Sequence, residues 1–374
     1  MNKENFTKYV FDYLSLLGLY LNKKEATDFV IDEEELSFFM QLSKHHSLLA
    51  LLYQALKNTN IKVDEAQLKK LEECYLSNIR KSALFSKERK DLFAYLNDKE
   101  IDYLPLKGII IKDYWLDPDS REFADNDILF PNEKTALIKE YFVSQKYTVE
   151  YYKNSNHDVY LKKPFFNFEM HRSLFGEIED APKLVTYFAD YLKTAPIKEG
   201  YEHYLSNENF YIYFTAHTFK HFHHSGCGIR TLVDYYFFLK KNQDLDFDYI
   251  NQELAKIDIL EFSNQIKAVS LKVFDNEPLD DNEKEMILYI ASSGTYGTLQ
   301  NSVSKGVNKK GRFGYFMERV FPPLSFYKTA YPWAYKSKVL IPVAWVMRFF
   351  RILFKNPKKA TQELKMISKT KKED

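Results

Sequence analysis

Ala124-Asp-Asn-Asp-Ile-Leu-Phe130 and, about 40 residues on, Phe166-Asn-Phe-Glu-Met-His171 are the two stretches on which the fold turns. In the first, Asp125 and Asp127 stand at i and i+2 and run into an apolar strand that Pro131 ends, so both carboxylates share one face. In the second, strict alternation sends Phe166, Phe168 and Met170 to one face and Asn167, Glu169 and His171 to the other. Residues 157–161 read as the strand before it, joined by a hairpin across Lys162-Lys-Pro164. Upstream, Tyr103-Leu-Pro-Leu106, Lys107-Gly108 and the Ile109–Ile111 run read as strand, glycine turn and helix, followed by a turn at Asp117-Pro-Asp-Ser120. Asn132 caps a helix whose inner face is Leu137, Ile138, Tyr141 and Phe142.

On both sides the period is helical. Phe6, Val10, Phe11, Tyr13 and Leu14 recur at helical spacing, as do Phe38, Phe39, Leu42, Leu48 and Leu51, and a long charged helix carries Leu68, Leu71, Tyr75, Ile79, Leu84, Leu92 and Leu96. From about residue 183 the pattern is helical again, with Phe210, Tyr213, Phe214, His217, Phe219 and His221 close together. The expected fold is therefore α+β, a small mixed β-sheet flanked by N- and C-terminal helical regions. The expected divisions are residues 1–98 (helical), 99–181 (the sheet-bearing core), 182–330 (helical) and 331–374 (a basic, apolar C-terminal segment).

The composition agrees. A chain of 374 residues that is 45% hydrophobic can bury a sizeable core, and only 11 glycines disfavour Gly-rich β architectures. Cys74 and Cys227 cannot form a disulfide framework and suit a reducing compartment. Glu4 and Asp12 interrupt the first apolar stretch, unlike a secretory signal, so a cytoplasmic location is expected. The net charge of +1 hides an asymmetry: residues 301–374 hold 17 Lys/Arg against 4 Asp/Glu, a net +13, and the remainder carries −12. A basic end of this kind suits an anionic partner, either a membrane surface bound peripherally or RNA. Val339 to Phe354 adds an apolar helix on which Arg348, Arg351 and Lys355 form one basic stripe, and this fits both an interfacial helix and one docked on the body.

Two carboxylates on one strand face repel unless cations lie between them, and hard oxygen donors at this spacing suit Mg²⁺. Glu169 supplies a third acid if its strand pairs beside the first. Gly108 lets backbone approach a phosphate, and Lys107 brings a positive charge. No Walker A loop, G-x-G-x-x-G or H-E-x-x-H occurs, so kinase-like, Rossmann and zincin chemistries lose their support. The adjacent His45 and His46 lack acidic or thiol partners at ligand spacing and are expected at surface or cap positions.

Leu104-Pro-Leu-Lys-Gly108, the Tyr114–Pro118 stretch, Arg121 and Asp125-Asn-Asp-Ile-Leu129 resemble, in order and spacing, a bacterial uncharacterised nucleotidyltransferase family of the DNA polymerase β-like superfamily. His157 and Glu169-Met-His171 are similar to its later strand motif. His217, Lys220, His221, Gly226, Gly228, Arg230 and Asp234 are similar to its C-terminal helical motif. Asn126 and Ile109 depart from the superfamily, which usually has an apolar residue at the first position and often Ser or Gly at the second.

The resemblance implies transfer of NMP from an NTP substrate to an unidentified acceptor, with two Mg²⁺ ions held by the catalytic residues Asp125, Asp127 and Glu169. It implies nucleotide contacts from Lys107, Gly108, Arg121, His217, Lys220 and Arg230. A protein that kept the fold as a nucleotide-binding or membrane-docking module without chemistry is the alternative, and the position of Glu169 discriminates. His217, His221, His223, His224 and Cys227 also cluster at spacings compatible with zinc.

Overall fold

The computed structural model describes residues 3–25, 29–59, 61–122, 124–153, 155–176, 181–295, 299–322, 324, 327, 331–355, 365–367 and 370. Two compact units form, one from Met1–Lys220 with Cys227–Thr295 and the other from His221–Gly226 with Tyr296–Asp374.

The larger unit opens with α1 (Lys3–Leu21), α2 (Glu33–His46), α3 (Leu49–Asn58) and the long α4 (Glu65–Asp98). Asp32 and Asp64 each accept a hydrogen bond from a backbone N–H three residues on, which starts α2 and α4 in the usual N-cap manner. Tyr13, Leu14, Leu17, Phe39, Leu51 and Leu52 are buried where α1, α2 and α3 meet. His46, expected near the surface, is fully buried: its Nε2 pairs with the Ala291 carbonyl at 2.9 Å and its Nδ1 accepts from the Ile229 N–H at 3.1 Å. Burial pulls its pKa down to about 4. A histidine that satisfies two backbone groups from distant helices serves as a polar core residue, and spacing to acids or thiols carries no trace of that.

The middle of this unit is a five-stranded mixed sheet ordered β1-β2-β5-β4-β3. Its strands are β1 (Leu104–Pro105), β2 (Asn126–Leu129), β3 (Thr148–Tyr151), β4 (His157–Lys162) and β5 (Phe166–His171). The β4–β5 hairpin falls where the alternation places it, and β2 pairs parallel with β5. Between β1 and β2 lies the one-turn helix α5 (Gly108–Ile111), and α6 (Thr135–Ser144) follows β2. One sheet face is packed: Ile128, Tyr160, Phe166, Phe168 and Met170 bury against Phe85, Leu92 and Leu96 of α4 and Ile138 and Phe142 of α6. Leu84 and Leu137, expected on inner faces, are exposed, because the buried stripes run through Phe85 and Ile138 instead. The fold is α+β, a small mixed sheet flanked by helical regions.

The helical text beyond residue 183 holds a small exception. Between α7 (Pro182–Tyr187) with α8 (Tyr191–Thr194) and α9 (Asn207–His224) sits a two-stranded ribbon, β6 (Ile197–Glu199) and β7 (Glu202–His203). The ribbon is too short and too exposed to leave a period in the sequence. Then come α10 (Ile229–Lys241), α11 (Phe247–Lys256), α12 (Leu260–Asp275) and α13 (Asp281–Ser293). A Cβ on Gly18 would lie 2.6 Å from the Phe274 carbonyl oxygen, so this glycine permits the close approach of α1 to α12.

The smaller unit contains α14 (Leu299–Val320), broken at Gly311, then α15 (Pro332–Lys336) and α16 (Ile341–Lys355). Ala344 of α16 is buried with Tyr327, Tyr331 and Ala334. Trp345 stacks on Phe321 and donates from Nε1 to the Val320 carbonyl at 2.6 Å, and Arg348 donates to the Arg319 carbonyl at 2.7 Å. Val343, Val346, Met347 and Phe350 are exposed. The side chains of Arg351 and Lys355, the rest of the expected basic stripe, lie outside the described residues. No helix among the described residues is long and apolar enough to cross a membrane.

Candidate active site

Pairing of β2 with β5 sets Asp127 directly opposite Glu169 and Leu129 opposite His171, and pairing of β5 with β4 sets His171 opposite His157. Because directly opposed residues point the same way, Asp127, Glu169, His171 and His157 all project from the face that the aromatic core leaves uncovered. Asp125, just before β2 and two residues from Asp127, bears electrostatically on both Asp127 and Glu169.

Asp127 is buried and is the hub. Lys107 Nζ donates to its Oδ1 at 2.7 Å, and His171 Nε2 lies 2.8 Å from the same oxygen. Burial alone would raise its pKa, but Lys107 and His171 outweigh that and hold the carboxyl well below the usual range. Asp127 in turn keeps the buried Lys107 ammonium firmly charged against its desolvation. Glu169 responds oppositely: burial first, then the negative charge of Asp127, push it up to about 8, with Lys107 pulling the other way. Asp125 is also raised, by burial and then by Asp127. His157 is pulled down to about 4, by burial and then by His171 and Lys107, and His171 falls as well through burial.

Among the described residues, His157, Glu169 and His171 bring metal-capable atoms within 4.8 Å of one another. Glu169 Oε2 lies 3.8 Å from Nε2 of each histidine.

The residues expected to touch nucleotide fall in different places. Lys107 is on the acidic face, and the left-handed backbone of its turn belongs to Lys107 itself (φ 44°) and not to Gly108. Gly108 has another task, since a Cβ there would lie 3.0 Å from Arg121 Nη1. Arg121 is buried and forms a two-point bridge to Asp234 of α10, Nε to Oδ1 at 2.7 Å and Nη2 to Oδ2 at 2.8 Å, while Trp115 Nε1 donates to Asp234 at 2.8 Å. Lys220, on α9, is lowered by burial and then by Lys107, and Glu169 and Asp127 draw it the other way, so it borders the acids. Arg230 bears on Asp125 and donates to the Glu122 carbonyl at 2.6 Å. His217 contacts the ring of Tyr213, a buried tyrosine that feels Lys107, Asp127 and Glu169.

Two basic residues of α4 went unnoticed in the sequence. Lys81 feels Glu122 and Asp125, and Arg89 donates to Asn126 Oδ1 at 2.9 Å. The signal was available: Asn78, Ser82 and Arg89 interrupt the apolar stripe of α4 with polar residues that face the protein. Asn126, the departure from the superfamily pattern, thereby finds its partner.

A family model described as "Uncharacterised nucleotidyltransferase" matches residues 32–274, which include every strand of the sheet and the acids on it. No curated protein and no solved structure matches the chain. With well over half its length covered by that model, the chain belongs to this family of nucleotidyltransferases.

Proposed function

We propose that the chain transfers an NMP from an NTP to a hydroxyl of an acceptor, with Asp125, Asp127 and Glu169 as the catalytic acids. The observation that carries this reading is the register that sets Asp127 against Glu169 on adjacent parallel strands, with Asp125 two residues away. A third acid placed beside the first two supports chemistry over a fold kept only for nucleotide binding.

The donor chemistry fits divalent cations. Three carboxyls crowd one face, and the protein offsets their repulsion with Lys107 and with a proton on Glu169, the two kinds of charge that cations would replace. Asp125, Asp127 and Glu169 would hold two Mg²⁺ ions, which would supply charge stabilisation to the entering and leaving oxygens of an in-line displacement. The chain's own groups do the rest. Lys107 neutralises phosphate charge as it builds on the leaving group, and Lys220 and Arg230 extend the cationic rim. The acceptor oxygen bonds to the α-phosphorus as the bond to pyrophosphate breaks, and Glu169 accepts the hydroxyl proton and passes it to solvent. Arg121, held by Asp234, positions the Lys107-Gly108 turn from beneath.

The test is incubation of the purified chain with each α-³²P-labelled NTP, Mg²⁺ and cell extract, followed by the same assay on Asp127→Asn and Glu169→Gln. Labelled acceptor should form with the wild type and drop at least ~100-fold in either variant. Transfer at the wild-type rate in both variants would remove the acids from the mechanism.

For the basic C-terminal segment we infer peripheral contact with an anionic membrane. The exposed apolar side chains of α16 beside a net charge of +13 support it.

A further inference from the structure

His157 and His171 are foreign to an all-carboxylate centre, and their geometry asks for an explanation. Nδ1 of His157 faces the Asn156 Oδ1 acceptor at 3.3 Å, so Nδ1 carries the proton and Nε2 is left with its lone pair. That lone pair faces Glu169 Oε2 at 3.8 Å, too far for a hydrogen bond. Glu169 Oε2 stands equally far, 3.8 Å, from His171 Nε2, whose N–H donates to the ionised Asp127 Oδ1 at 2.8 Å; the tautomer with the proton on Nδ1 frees that nitrogen for a metal. Two nitrogens and one carboxylate oxygen thus gather from two adjacent strands, within 4.8 Å of one another. Bonds of about 2.0–2.2 Å to one ion span donor pairs up to roughly 4.2 Å apart, which covers both 3.8 Å separations.

We propose that His157 Nε2, His171 Nε2 and Glu169 bind one first-row transition ion, with Zn²⁺ the best match to an N₂O donor set that leaves a fourth position open. Imidazole nitrogens favour such ions over Mg²⁺, which prefers oxygen and keeps its water. The Asn156 contact on Nδ1 of His157 is the outer hydrogen bond that fixes a ligating ring. The proposal rests on the reading of this face as a divalent-cation centre and assigns one of its ion positions to a metal other than Mg²⁺. Asp125 and Asp127, outside this trio, remain for the ion that accompanies the nucleotide.

The test uses the full chain, stripped with a chelator and without nucleotide. Co²⁺ serves as the probe, read by its visible absorption and by shifted exchangeable imidazole N–H signals in the proton NMR spectrum. One equivalent should bind with a nitrogen-donor spectrum and two shifted imidazole signals. Equimolar Zn²⁺ should displace it, and a hundredfold excess of Mg²⁺ should not. His157→Gln and His171→Gln should each weaken Co²⁺ at least tenfold. His157 begins a strand and is only half-buried, so its variant should retain the wild-type circular dichroism. Absence of shifted imidazole signals in the wild type, ready displacement by Mg²⁺, or full Co²⁺ affinity in both histidine variants would overturn the proposal. Because no NTP is present, these results are independent of nucleotidyl transfer: binding without transfer retires the function, and transfer without imidazole ligation retires this site.

Discussion

Asp127 and Glu169 face each other on neighbouring strands, yet their proton affinities diverge, because Lys107 and His171 both attend the same oxygen of Asp127. Whichever acid holds the cation stays ionised and the other keeps its proton. Replacing Asp127 with Asn should therefore lower the Glu169 pKa from about 8 toward the ordinary carboxylate range, which carboxyl ¹³C titration by NMR would register. An unchanged Glu169 titration would mean that burial alone holds it up. Stability should follow the same logic. Glu169 goes from an ordinary value near 4.5 in the unfolded chain up to about 8 in the fold, so its contribution is complete below 4.5 and is lost as pH rises through 8. His46 and His157 are lowered to about 4, so their contribution instead grows between pH 4 and 6.5 and is constant above. Between pH 6.5 and 8 only the loss from Glu169 is left among these groups. Denaturant midpoints of the metal-free protein should fall across that window for the wild type and stay nearly level for Glu169→Gln. The acids themselves were legible, since i, i+2 spacing and alternation specify a shared face without any long-range knowledge. The ion pair of Lys107 with Asp127 was not, because it depends on how a strand twenty residues upstream is laid beside β2.

At the scale of elements, the segment between β1 and β2 is held by a clamp rather than by its own regularity. It consists of short turns, and Arg121 near its end reaches across to Asp234 on α10, joined there by Trp115 from the same segment. Breaking a buried ion pair from one side leaves an uncompensated charge, so Asp234→Ala should cost about 3–5 kcal/mol in chemical denaturation. Gly108→Ala should cost about 1–3 kcal/mol, because the added methyl crowds a guanidinium that the bridge prevents from yielding. If Gly108→Ala proves neutral, Arg121 has slack and the glycine is there for approach by a ligand. The same scale shows where sequence reading stops. Long α4 and the β4–β5 hairpin announce themselves by period and turn chemistry, whereas β3 is largely exposed and β6 and β7 are two or three residues each. Pairs such as Arg121 with Asp234 lie 113 positions apart, a separation over which periodicity carries nothing.

Charge is distributed unevenly over the whole molecule, −12 over residues 1–300 and +13 over the last 74, and most of the described apolar exposure follows the positive end. Docking explains part of α16. Ala344 is buried, and Trp345 and Arg348 are tied to the end of α14. It leaves Val343, Val346, Met347 and Phe350 in contact with solvent, with Val339 before them 86% exposed and Lys336 and Lys338 close by in sequence. A packed helix with a second, outward apolar face beside basic residues has the composition of an interfacial helix. Each Lys or Arg near an anionic bilayer contributes about 1 kcal/mol, so half a dozen acting together hold the protein to it at low salt and release it when screening shortens their reach. The full chain should float with phosphatidylserine-containing vesicles at low salt, sink at high salt and ignore neutral vesicles. Val343→Asp combined with Met347→Asp should abolish flotation while leaving the melting temperature near that of the wild type, because neither side chain is buried. Flotation unaffected by this double substitution would assign the attraction to charge alone, and an RNA mobility shift without any flotation would move the anionic partner from lipid to nucleic acid.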